Sequence, residues 1–474
     1  MRYETKNILA SFTVAVFFTI GVHAQQQPQP QVYELTAKEA VDLAFKNVAG
    51  IKNAKLDYQI SEARNKEITG MALPQVSGTL QGNHYLSLPV IQFPDATESF
   101  IYQVLKDNNV QNGATGMTIN KTVDPTVRNV SFLTPWNVNA GIAVNQLLFE
   151  PQVFVGLQAR KELLVNSGLQ IKVIEDSVRV SVYKSYYAVL TSQKQLVFLK
   201  ETIKRLEKLA SDQNEMFKNG FVERLDIDKT TVNLNNTRTI ETQLNTALAI
   251  GIAILKMNLW LSQADSIVLK DSLTPDYIKE NILEDTFRYE DRNEIKLLNS
   301  VVKLQSYDVK RYRMSYYPTV SAFYNFQKNG QRRNDEGGNS APWFWYNINL
   351  IGLNVNVPIF DGFQKKYKIK QAEFAMDKTK NTLDMAIKGI DMEKNIAKTA
   401  LTNAIVTMDR QESNMQLAER VYNSVKKKYE QGLGSSMEVL QSDREFQQAQ
   451  ADYFRSLYEA IVAKISYQKA LGKL

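Results

Sequence analysis

The chain runs through one order of unlike parts twice. A segment with helical apolar spacing leads into Met71-Ala72-Leu73-Pro74-Gln75-Val76-Ser77, and a second leads into Ser315-Tyr316-Tyr317-Pro318-Thr319-Val320-Ser321. Each is followed by alternating, strand-like sequence and a loop. A second strand then ends in Asn145-Gln146-Leu147-Leu148-Phe149-Glu150 or in Asn356-Val357-Pro358-Ile359-Phe360-Asp361. A long helical stretch reaches Phe217-Lys218-Asn219-Gly220 with Asp226 beyond it, or Tyr429-Glu430-Gln431-Gly432 with Glu438 beyond it. Solenoid repeats have periods of about 20–50 residues, far shorter than this, so the pattern is one duplication of an elongated unit. The first repeat is expected over 25–261, with a helix, a strand pair at 74–149 and a helical hairpin at 152–261. An inter-repeat equatorial segment follows at 262–286. The second repeat spans 287–474, with a helix, a strand pair at 318–360 and a hairpin at 362–471.

Residues 1–24 read as a secretory signal peptide. Arg2 and Lys6 precede an apolar run over 8–22, and Val22-His23-Ala24 sets small residues at the cleavage positions. The rival reading is a membrane anchor, but the run is short of the about 20 apolar residues that a spanning helix needs. Without this leader the formal charge falls from +7 to +6. The excess is scattered rather than blocked, which marks a solvated surface and not a nucleic-acid footprint. There is no cysteine, hence no disulfide framework, thiolate metal site or lipid-modified cysteine after the leader. Beyond the leader His84 is the single histidine, which argues against a catalytic triad or a histidine metal cluster. The carboxylates show no spacing that singles out an acid–base pair. No enzyme, metal or cofactor is expected.

No proline lies between Pro151 and Pro275, and none follows Pro358. Proline costs a helix interior about 3 kcal/mol, so these stretches permit long helices. In the last of them Ile369, Ala372, Met376, Leu383, Ala386 and Ile390 open a seam repeating close to every 3.5 residues. Ala397, Ala404, Met408, Met415, Ala418, Tyr422, Val425 and Tyr429 continue it, the period of coiled-coil packing. Helices over 362–430 and 152–218 would each be about 100 Å long at about 1.5 Å per residue, so a rod or tube is expected. Gly220 and Gly432 end them, and a second helix follows each over 226–261 and 438–471, making two hairpins.

The strands alternate with period two. Val138, Ala140, Ile142 and Val144 interleave with Asn139, Gly141, Ala143 and Asn145. Ile351, Leu353, Val355 and Val357 interleave with Gly352, Asn354 and Asn356. Trp136, Trp343, Phe344, Trp345 and Tyr346 crowd one end, as an aromatic girdle does. A soluble sheet with one buried face explains the alternation equally well. The first strand pair carries 33 residues more than the second, most of them in a polar, irregular stretch over 86–135. The second loop, 328–341, is rich in Gly, Asn and Arg. Between the halves, Ser266-Ile267-Val268-Leu269 is a short strand candidate.

From about residue 35 to 472 this ordered set resembles the TolC family of outer membrane channel proteins. The family's opening signature is similar to Leu35-Thr36-Ala37-Lys38-Glu39-Ala40-Val41-Asp42-Leu43-Ala44, with Asn47 and Ile51 following. The second half opens more degenerately at Arg292-Asn293-Glu294-Ile295. Pro74 and Pro318 match the prolines that start the strand pairs. Phe149-Glu150 and Phe360-Asp361-Gly362 match the strand-to-helix passages, and 220–226 and 432–440 match the helical tips. The resemblance implies a mainly α fold with a membrane β-barrel portion. Each protomer of a homotrimer would give four strands to one 12-stranded barrel and its helices to a periplasmic tunnel. Four strands cannot close a barrel alone, and open edges are forbidden in lipid, which favours the shared membrane barrel over a soluble sheet.

The function implied is a passive outer membrane exit duct for drugs, metal ions or secreted molecules. Its partners would be outer membrane lipid, a periplasmic adaptor (membrane fusion) protein and an inner-membrane transporter, with no nucleic acid. The chain itself has no nucleotide motif. A non-conducting helical spacer of the cell envelope is the alternative. Loops 86–135 and 328–341 would face outside. The resemblance makes Gly220, Asp226, Gly432, Gly434 and Ser435 an adaptor-docking surface, with the 433–436 backbone open to a partner. It places Glu438 as an inward acidic residue and Tyr429 as an aromatic that keeps the tip closed. Gln441 stands where some members carry a second acidic ring. Local physics offers bland readings beside these. The glycines end helices, Asp226 and Glu438 offset a helix dipole, and Tyr429 packs the seam.

Overall fold

The computed structural model describes residues 30–124, 126–273, 278–279, 287–333 and 341–474. The expected leader lies outside the described residues, as do Pro275, part of the inter-repeat segment and half of the 328–341 loop. The elements, in chain order, begin with β1 (Val32–Leu35), α1 (Ala37–Asn47), α2 (Ala49–Gly70), β2 (Gln75–His84) and β3 (Ile91–Asp95). Next come α3 (Thr97–Asp107), β4 (Thr126–Val130), β5 (Trp136–Phe149), α4 (Pro151–Lys218), α5 (Arg224–Leu259) and β6 (Ser266–Leu269). The rest are α6 (Asn293–Met314), β7 (Thr319–Arg332), β8 (Phe344–Asn356), α7 (Gln364–Glu430) and α8 (Ser436–Leu471). The long helices have 68 and 67 residues, and each is followed by a helix of 36. Among the described residues no helix is long and apolar enough to cross a membrane.

The chain forms two compact units, each drawing on both halves of the sequence. One holds the segment up to Asn47, Ser181–Tyr277 and Ser413–Tyr458. There β1 and β6 pair in parallel, Val32 against Ser266 through Leu35 against Leu269. The signature after Leu35 is a capping box: Thr36 N–H donates to Glu39 Oε2 at 2.8 Å, and Glu39 N–H donates to Thr36 Oγ1 at 3.3 Å. Asp271 accepts a further α1 amide, from Ala37, at 2.7 Å. The buried Tyr186 donates its hydroxyl to the Leu35 carbonyl at 2.9 Å, fixing α4 to β1.

The other unit comprises Val48–Val180, Ile278–Glu412 and Glu459–Leu474. Its core on the α7–α8 side is Ala397, Leu401, Tyr467, Ala470 and Leu471. Arg292, only 4% exposed, is its electrostatic node. The guanidinium donates to Glu294 and Glu393 and to the carbonyls of Lys469 and Ala470, the last turn of α8. It thus meets acceptors that a helix C-terminus leaves open. Gly472 then closes α8 with φ +72°, and a Cβ there would lie 3.2 Å from the Asp291 backbone. Every position of the expected seam from Ile369 to Tyr429 is buried or half-buried.

This unit also carries a four-stranded antiparallel sheet in the order β2-β5-β7-β8. The register puts Val76, Leu80, Val138, Ile142 and Val144 on one face. Val320, Tyr324, Phe326, Ile351, Leu353 and Val355 continue it, so that face is apolar. The opposite face shows Gln75, Ser77, Thr79, Gln81 and Asn83 on β2 and Asn137, Asn139 and Asn145 on β5. On β7 it shows Ser321, Asn325, Gln327, Asn329 and Gln331, joined by Asn354 and Asn356 of β8. Three glycines within the sheet are covered: Phe323 lies over Gly352, Trp345 over Gly330, and the Phe326–Gln327 backbone over Gly141. Among the described residues both edges, β2 and β8, are unpaired.

Several expectations are corrected by this sheet. The stretch 86–135 is not wholly irregular, because β3 and β4 pair antiparallel around α3. Lys328 to Arg332 belong to β7, so the second loop is shorter than expected. β8 ends at Asn356 and does not reach Asp361, because Pro318 ends the partner strand and Pro358 has no N–H to offer a ladder. The alternation of β8 also changes sense. Phe344, Tyr346, Ile348 and Leu350 lie on the amide face, while Asn347 and Asn349 lie on the apolar one. The aromatic end therefore splits, with Trp136 and Trp345 on the apolar face, where Trp136 stacks on His84 at 3.8 Å.

The two passages from strand to long helix are solved differently. In the first, Pro151 takes the opening helical position, where its missing N–H costs nothing. In the second, Gly362 and Phe363 both adopt positive φ, +64° and +67°, and Asp361 accepts the Lys365 amide at 2.9 Å.

Candidate functional site

The ends of α4 and α7 repeat one hydrogen-bond pattern. Gly220 N–H donates to the Phe217 carbonyl and Phe221 N–H to that of Met216, both at 2.9 Å. Gly432 N–H donates to Tyr429 and Leu433 N–H to Lys428, again at 2.9 Å. This is the Schellman closure, and it requires the left-handed conformation that both glycines adopt, φ +76° and +73°. The residue after each glycine is thrown outward: Phe221 and Leu433 are both 77% exposed. Two large apolar side chains thus stand in solvent at matching points of the two turns.

The helices that leave these turns start differently. Glu223 precedes α5 without a side-chain cap. Ser435 caps α8, its Oγ accepting the Glu438 amide at 3.2 Å. Asp226 and Glu438 both occupy the third helical position, where a carboxylate offsets the dipole. Glu438 and Gln441 are exposed, and Gln441 donates to Glu445 at 2.8 Å. The 433–436 backbone is less open than expected. Ser436 is buried and holds Gln213 of α4 at 2.9 Å. Gly434 is half-buried, with a Cβ there falling 3.3 Å from the Tyr429 amide.

Tyr429 is buried within the protomer, in one cluster with Tyr422, Val439 and Phe446. Burial raises its phenol above the ordinary value; the nearby Gln213 amide opposes this, while Asp226 and Asp212 add to it. A cavity of about 260 Å³ opens beside it, bordered by Arg205, Lys208, Asp212 and Lys426.

The reading of the sequence missed a charged group in this same core. Asp443 of α8 has a side chain only 2% exposed, and its carboxylate stands 3.6 Å from Arg205 of α4. The guanidinium lies over the rings of Tyr422 and Phe446 at 5.4 and 5.3 Å, and Gln447 donates to Asp443 at 2.6 Å. Burial holds the Asp443 carboxyl above the usual aspartate value against the pull of Arg205 and Gln447. The available signal was position: Asp443 sits at helical spacing between the buried Val439 and Phe446, a carboxylate on an apolar stripe. Among the described residues no group of His, Asp or Glu is arranged to hold a metal ion.

Residues 295–473 match the family model described as outer membrane efflux protein. Outer membrane protein TolC of Vibrio cholerae is 20% identical over 344 residues, which is 71% of this chain and 77% of that protein. Among solved structures, CusC superposes with TM-score 0.65 at 15% identity, covering 92% of each chain. The CmeC outer membrane channel of Campylobacter jejuni gives TM-score 0.65 at 16% identity, over 92% of this chain and 85% of that one. The MtrE outer membrane channel of Neisseria gonorrhoeae, in its open state, gives 0.65 at 12%, over 92% and 88%. The structural matches establish the fold over nearly the whole chain, and the family model fits the stretch 295–473 that carries Gly432, Glu438 and Asp443. The chain therefore has the fold of outer membrane channels such as CusC, CmeC and MtrE, and its residues 295–473 match the outer membrane efflux protein family.

Proposed function

We propose that three copies of this chain form a passive exit duct through the outer membrane. The observation that carries this reading is the β2-β5-β7-β8 sheet, which has one apolar face and two open edges. In a bilayer every edge amide must be paired, and four strands are too few to close on themselves. Three copies, each setting β8 against the β2 of the next, make a closed 12-stranded barrel with its apolar face to lipid. A second observation supports the same assembly. Phe374, Met385, Met392, Ile396, Leu417 and Val421 are exposed along α7, on the side opposite its buried seam. Their spacings of 11, 7, 4, 21 and 4 residues, each close to a whole number of turns, keep them on one helical face, the pattern of a stripe awaiting a partner helix.

In this reading the duct is passive, and an inner-membrane transporter supplies the energy through a periplasmic adaptor. The adaptor would dock on the tips, where Phe221 and Leu433 offer apolar anchors beside the Gly220 and Gly432 turns, with Asp226, Gly434 and Ser435 around them. Three-fold symmetry would turn the exposed Glu438 into a ring of carboxylates at the periplasmic entrance, which attracts cations. Gln441 adds no charge to that ring. Tyr429 would act at the entrance indirectly, by packing the α7–α8 hairpin. Native mass spectrometry of the detergent-purified protein tests the assembly. A species of three chains is expected; a persistent monomer would contradict the shared barrel and return the chain to the spacer reading.

A further inference from the structure

The amide face of the sheet carries no Asp, Glu, Lys or Arg on any of its four strands. In a chain with 23% charged residues, a face of average composition would carry several. Stability does not demand their absence, because charged groups facing a water-filled lumen stay solvated. The charges the sheet does have sit on the other face. Lys328 and Arg332 both lie towards the aromatic end, where Lys328 Nζ is 5.7 Å from the Trp345 ring. Long cationic stems at an interface can reach water, which makes that placement tolerable.

Resting on the reading of this sheet as one third of a barrel, we infer that the amide face lines an exit that does not select its cargo by sign of charge. Gln81, Asn139, Asn325, Gln327 and Asn354 each present both a donor and an acceptor. They can therefore stand in for water around an anion, a cation or a neutral polar solute alike. A narrow lumen lined by fixed charge concentrates ions of opposite sign; this lining has none to do so. Sign selection in the duct then belongs to the helical entrance and Glu438, and the barrel admits hydrated solutes of either sign.

The absence of cysteine makes the test direct. Single cysteines are placed at Gln327→Cys or Asn139→Cys on the amide face and at Ile142→Cys on the apolar face, each in a Glu438→Gln background. Trimers in planar bilayers are treated with cationic and anionic methanethiosulfonates, with rates normalised to those for a free thiol. At both amide-face positions the two reagents are expected to react at rates within about twofold of each other, while Ile142→Cys stays unreactive. The attached charges should move the reversal potential in opposite directions under a salt gradient. A preference above about tenfold for one sign, or reaction at Ile142→Cys with none at the other two, would overturn the inference while leaving the channel intact. If the unsubstituted protein never conducts, the duct reading itself falls, and the lining inference with it.

Discussion

Asp443 is a carboxylate in an environment that its type does not prefer. Its carboxylate is buried beside a guanidinium that itself lies over two aromatic rings, and burial raises its proton affinity. Between the ordinary aspartate value, about 3.9, and the raised one, the folded chain binds a proton that the unfolded chain does not. Stability should therefore fall as pH rises through that window. Asp443→Asn is expected to flatten this part of the profile, read as the thermal midpoint against pH; an unchanged slope would mean that Asp443 is not its source. The sequence shows the carboxylate on an apolar stripe but not the far-removed Arg205 that faces it. The tip glycines were legible, because a glycine after a long helical pattern has one common use. The burial of Tyr429 was legible as one of two readings. The crowding of Gly434 was not, since it depends on how tightly the turn folds back over Tyr429.

At the level of elements, the long helices and the strand pairs follow from proline placement and apolar period. What lay beyond reach was pairing between distant segments. β3 and β4 find each other across α3, and β1 at the start of the first repeat meets β6 in the segment that follows that repeat. β6 was legible as the candidate strand Ser266–Leu269 but its partner β1 was not, and the short strands β3 and β4 carry too little period to be read without each other. The same holds for Arg292, read as part of a degenerate motif and found as the cap of α8. Arg292→Met removes five donors from acceptors that stay partly shielded, and should cost about 3 kcal/mol of stability, towards the low end for a broken buried pair because Glu294 and Glu393 are a third exposed. Denaturant unfolding followed by circular dichroism measures it. A loss below about 0.5 kcal/mol would make the node a surface-grade contact.

On the scale of the whole molecule, the proposed duct gives the tips and the sheet separate tasks. A bulky side chain at Gly434 should abolish export, but it also presses on the Tyr429 amide, so the turn itself is strained. Leu433→Glu is the cleaner probe, because that side chain is already in solvent. Loss of one apolar anchor at an interface is expected to cut adaptor affinity by about tenfold or more, with trimer assembly unchanged. Pull-down with the cognate adaptor and native mass spectrometry read the two effects side by side. If the trimer is lost as well, the turn serves assembly and not docking.

The most direct measurement is electrical. Purified, unmodified protein in a planar bilayer should give discrete conductance steps that rise with salt concentration, each step one barrel of three chains. A protein that assembles, inserts and stays electrically silent would contradict the duct and leave a helical spacer in its place.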